Sequence, residues 1–66
     1  MELAFALAEA RRDAGLTQAD VSRLMGTSQA AVARLESGRA KPNWETVERY
    51  ARAVGRRAVV KLERVE

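Results

Sequence analysis

Ten of the twelve cationic side chains in this 66-residue sequence are Arg, and none of its residues is His or Cys. A guanidinium is a planar fork that meets phosphate, carboxylate or guanine through paired hydrogen bonds. Without imidazole or thiolate there is no zinc site of the usual kind, no disulfide, and no Ser/His or Cys/His nucleophilic pair. Neither an enzyme nor a cofactor or metal is expected. The charges are also unevenly placed: residues 1–22 sum to −2, 23–41 to +3, 42–48 to −2 and 49–64 to +5. Basic blocks of this kind suit nucleic acid or an acidic protein surface. Solvated helix faces are the other reading of the same charges.

A chain this short forms one domain. Its apolar residues make up 47% of the sequence, but thirteen of them are Ala, leaving eighteen larger side chains for a core that a partner subunit would help to complete. Gly15, Gly26, Gly38, Pro42 and Gly55 divide the chain into short segments. The first, Glu2 to Ala14, has Leu3, Leu7, Ala10 and Ala14 at helical spacing, with Phe5 on the opposite face as a candidate interface group. Thr17 and Asp20 form a capping box for a second helix with an apolar stripe of Val21, Leu24 and Met25, stopped at Gly26. Ser28 caps a third helix, Gln29 to about Ser37, facing inward through Val32 and Leu35. After the basic loop 38–43, Asn43 caps a fourth from Trp44 to Val54. Its expected core face is Trp44, Val47, Ala51 and Val54, with Tyr50 at the edge. Glu45 with Arg49 and Glu48 with Arg52 are spaced as surface pairs.

The tail changes period. Ala58, Val60 and Leu62 fall on one side and Val59, Lys61, Glu63 and Val65 on the other, a β-branched alternation that predicts a strand over 57–65. A strand with no second strand in its own chain has to pair with another chain or fray. Its most economical partner is its own copy across a two-fold axis, through Val59, Val60, Leu62 and Val65.

Two helices joined by a tight Gly turn are common, so the local spacing decides. Gln18, Ser22, Gly26 and Val32 stand at places one, five, nine and fifteen of a helix-turn-helix unit, with Val21, Met25 and Leu35 as its packing positions. Place five needs a small residue where the third helix crosses, and place nine a left-handed turn. Through Gly15-Leu-Thr-Gln18, Gly26-Thr-Ser28 and Arg34-Leu-Glu36-Ser-Gly38-Arg39, residues 3–55 resemble the Xre/Cro family of phage repressor-like DNA-binding domains. The expected fold is all-α: a compact four-helix helix-turn-helix domain over residues 1–56, with residues 57–66 as a C-terminal β-strand that pairs across a dimer.

The resemblance implies that the third helix enters the major groove with Ser28, Gln29, Ala31 and Arg34 toward the bases. Gln29 can fork onto adenine, Arg34 onto guanine, and Ala31 can meet a thymine methyl. It further implies phosphate contacts from Gln18, at a helix N-terminus, and from Thr27, Arg39 and Lys41. Arg11 and Glu36 match the family's buried ion pair, a structural role. Asn43 departs from relatives that carry a basic residue there.

With little chain after Gly55, an effector-binding domain is not expected. Arg49-Tyr-Ala-Arg-Ala-Val-Gly55 followed by the basic strand resembles HigA/HipB-like antitoxins. This implies a homodimeric repressor that binds a palindromic double-stranded operator, controls its own operon and neutralises a cognate toxin. A stand-alone phage repressor-like or controller-type regulator without a toxin, and an adaptor that has lost DNA binding, are the alternatives. No membrane partner or small-molecule substrate is expected of what reads as a cytoplasmic protein of bacterial or phage origin.

Overall fold

Side-chain caps fix three of the four helix starts. In the computed structural model, which describes residues 2–65, α1 spans Leu3–Asp13, α2 Gln18–Met25, α3 Gln29–Ser37 and α4 Trp44–Ala53. At α2, Thr17 Oγ1 accepts from the Asp20 amide at 3.0 Å while Asp20 Oδ2 accepts from the Thr17 amide at 2.9 Å. That reciprocal box satisfies two amides that a helix start leaves without partners. Ser28 Oγ and Asn43 Oδ1 do the same for the amides of Ala31 and Thr46, at 3.1 and 2.8 Å; α1 has no side-chain cap. The turn from α2 to α3 rests on Gly26, whose φ of 71° is strained for any residue with a Cβ. The Thr27 amide closes that turn on the Ser22 carbonyl at 2.9 Å.

The core lies where α1 and α2 each pack on both α3 and α4. Val21, Val32 and Tyr50 are fully enclosed, and Leu7, Met25, Leu35 and Val54 surround them. Burial of each large side chain contributes about 1.5–3 kcal/mol.

The four helices agree with the sequence reading to within a residue at their ends, but several inward faces differ from it. Leu3 and Ala14 are exposed, and α1 turns Ala4, Leu7 and Ala8 inward. A Cβ built at Gly38 would stand in ordinary contact, 3.8 Å, with the Ala4 Cβ, so the start of α1 packs close against the end of α3. Leu24 is 62% exposed, whereas Ser22 is buried at the helix crossing with Oγ donating to the Ala19 carbonyl at 2.7 Å. Tyr50 is not at the edge but at the centre, with 0% exposure, because its hydroxyl finds acceptors there. Trp44, expected in the core, sits half exposed at the first position of α4.

Among the described residues there is no β-strand, and 56–65 carry no regular secondary structure. A lone strand has no ladder of amides and carbonyls to join, so the alternation of the tail produces no sheet within one chain. Met1 and Glu66, the outer ends of the expected domain 1–56 and tail 57–66, lie outside the described residues.

Candidate functional site

All four helices meet at one carboxylate. Arg11 grips Glu36 with two parallel hydrogen bonds, Nε to Oε2 at 2.8 Å and Nη2 to Oε1 at 2.9 Å, while its Nη1 donates to the Leu16 carbonyl at 3.0 Å. Gln18 Nε2 donates to Glu36 Oε1 at 3.2 Å. The Tyr50 hydroxyl donates to Glu36 Oε2 and lies 3.0 Å from the Leu7 carbonyl. The two charged side chains are 13% and 6% exposed, and no buried side-chain polar atom among the described residues lacks a partner. Burial alone pushes the Glu36 carboxyl up, but hydrogen bonds from Arg11, Tyr50 and Gln18 outweigh it and hold the group below its ordinary value. The same hydrogen bond from the other side, to Glu36, raises Arg11, and burial followed by the bond to Glu36 raises Tyr50.

This network positions α3 and leaves its outer face free. Gln29 and Arg34 stand exposed on that face, and Ala31 is half-buried beside them. Ser28 is exposed as well, with its hydroxyl oxygen committed to capping the Ala31 amide. Ala31 and Arg34, three residues apart, share one side of the helix, while Ser28 and Gln29 stand at its exposed N-terminal end. Gln18, expected at phosphate, is instead turned onto Glu36 through its amide nitrogen.

Beside that face runs an open groove of about 420 Å³ between α3, the loop after it and the first turns of α4. Thr27, Ala31 and Arg34 line one wall, and Lys41, Asn43, Thr46 and Arg49 the other. Three cations and no carboxylate border it, so its potential favours an anion. Arg39 is exposed in the same loop but does not line the groove. The sequence reading missed Arg49 here because it paired that residue with Glu45. The pair exists, but at 4.0 Å and with both side chains largely in solvent. The available signal was the three-residue step Asn43, Thr46, Arg49 along one side of α4. Glu48 and Arg52, spaced equally well, form no ion pair among the described residues.

The tail residues are not brought together. Val59 reaches a second groove of about 240 Å³ that also touches Leu3 and Trp44. Val60, Leu62 and Val65 are exposed, Leu62 by 91%. Phe5 is half exposed on the outer side of α1.

No group of acidic side chains among the described residues is arranged to hold a metal ion, and no helix is long and apolar enough to cross a membrane. Residues 2–65 match the model of a protein family described as a helix-turn-helix domain. No curated protein matches the chain.

Proposed function

The chain belongs to the helix-turn-helix domain family and is a DNA-binding protein of the transcription-regulator class, and from that premise we propose that it is a sequence-specific repressor of a palindromic double-stranded operator. The observation that carries this reading is the exposed N-terminal end of α3 with Gln29 and the side of the same helix with Ala31 and Arg34, next to a cation-lined groove. An exposed helix face of this kind fits the major groove, where a glutamine amide matches adenine and a guanidinium matches guanine. Thr27, Arg39 and Lys41 provide sequence-independent phosphate contacts from the flanking loops, with Ser28 at the start of α3. Gln18 serves at phosphate through the second N–H of its side-chain amide, the first being donated to Glu36.

The active form in this proposal is a homodimer joined through Val59, Val60, Leu62 and Val65, so that residues 57–66 form a dimerisation strand appended to the DNA-binding unit of residues 1–56. The exposure of these apolar side chains supports it, since a β-branched segment with bare apolar groups and no ladder of its own is open to pairing. Two α3 helices about 34 Å apart then read two half-sites on one side of the duplex. Within this reading we place the protein in the cytoplasm as an antitoxin that represses its own operon and holds a toxin inactive. That role rests on the likeness of residues 49–65 to HigA/HipB-like proteins. A stand-alone regulator would share the DNA contacts and lack the toxin.

Selection of bound duplexes from random DNA tests the proposal by yielding an operator and its symmetry. Arg34→Ala is expected to cost about 1–3 kcal/mol at one base position and to relax preference there. Unchanged preference in the selected pool would remove Arg34 from base reading. A selected sequence without two-fold symmetry would remove the dimer.

A further inference from the structure

We propose that the groove between α3 and α4 seats one strand of the sugar-phosphate backbone, with Arg49 as the phosphate contact on its α4 wall. The inference deepens the proposed DNA binding and rests on it. The groove is continuous with the exposed face of α3, because Ala31 and Arg34 belong to both. A duplex read by that face brings its backbone alongside.

The polar groups in the groove also have the right sense. Asn43 Oδ1 already accepts from the Thr46 amide and from the Thr46 hydroxyl, at 2.8 and 2.9 Å, so the end of Asn43 left for a ligand is its NH₂. Together with Arg34, Lys41 and Arg49 the walls offer donors and positive charge, which suits a phosphodiester rather than a cation or a neutral peptide. Among the described residues Glu45 is the only charged group paired with Arg49; it is 4.0 Å away and 77% exposed, so a phosphate can replace it without stripping a buried charge. Arg52 supplies an internal control. It lies on the same helix, in a different concavity with Glu48, Arg56 and Arg57, away from α3.

The test is affinity against salt concentration for the native chain, R49A, R49K and R52A, each on the selected operator and on a random duplex. R49A is expected to reduce the salt slope by about 0.9, the release of one counterion, so that the loss of affinity between 50 and 200 mM salt shrinks about threefold. The reduction is expected on both duplexes alike, with R49K keeping the native slope and R52A unchanged. Thermal melting of the variants confirms that an exposed side chain was removed without unfolding the domain. If R49A behaves as R52A does, or loses affinity on the operator alone, the phosphate assignment is overturned while DNA binding stands. If the native chain binds no duplex at any salt concentration, the function falls and this contact with it.

Discussion

Glu36 is the residue on which the most contacts depend. Its carboxylate receives donors from Arg11, Gln18 and Tyr50, one from each of the other three helices. A hydrophobic pair of similar volume could stabilise the fold as well, but removal of one partner strands the other. Glu36→Gln is therefore expected to cost about 3 kcal/mol at neutral pH, a large part of the roughly 5 kcal/mol available to a chain this small. The pH dependence follows from the direction of the shift. The folded-state value of Glu36 lies below its ordinary value of 4.5, so its contribution is complete above that value and is lost as pH falls through the lower, folded one. Thermal melts from pH 7 to pH 2 should show an acid limb that is shallower in the Gln variant. An unaltered limb would assign the acid sensitivity elsewhere. Asp20 is the first alternative, since its carboxyl is lowered by the Thr17 amide and the Thr17 hydroxyl.

The elements divide into those whose ends are fixed by nearby residues and one that needs a partner. α2, α3 and α4 carry their own caps, and Gly26 and Gly38 take the positive φ that ends α2 and α3. The tail has period-two alternation but no partner within the chain. If it pairs with a second copy, antiparallel two-fold symmetry restricts the register. The apolar sides coincide only when opposed residues are both odd or both even in number. A strand pair centred on Leu62 sets Lys61 opposite Glu63 twice and Val59 opposite Val65. Centring on Lys61 or on Glu63 would oppose like charges, and each such pair shifts the balance by about 0.2–1 kcal/mol. Because the native chain has no Cys, single replacements report the register without interference. Leu62→Cys is expected to give a disulfide-linked dimer under mild oxidation, and Lys61→Cys and Glu63→Cys much less. Preferential linkage through position 61 would shift the register.

For the whole molecule, the distribution of charge matters more than the net value of +3. One monomer offers few phosphate contacts, and a second copy doubles them while making the second half-site an intramolecular encounter. Deletion of residues 57–66 is expected to yield a folded monomer by sedimentation, since the enclosed core residues all precede that segment. Its affinity for the full operator should fall by at least tenfold, toward that for a half-site. A dimer that survives the deletion would move the interface to the helices, where Phe5 is the exposed apolar group on α1.

The sequence by itself determined the four helices, their caps, the glycine turns and the spacing of the helix-turn-helix unit, because each depends on residues within a few positions of one another. It also brought Arg11 and Glu36 forward as a pair through family likeness, although 25 residues separate them. Most inward side chains follow the helical period, and tertiary structure decided the exceptions. Tyr50 takes the centre expected for Trp44, and Leu24 is left to solvent, because the distance between crossing helices sets the room available and periodicity does not record it. The same reason explains Gln18 and Arg49. One turns to a carboxylate on α3 and the other lines a groove beside Arg34. Neither neighbour is near in sequence, so only the packing of α2 and α4 around α3 could show that part of the second basic block lies beside the exposed side of α3.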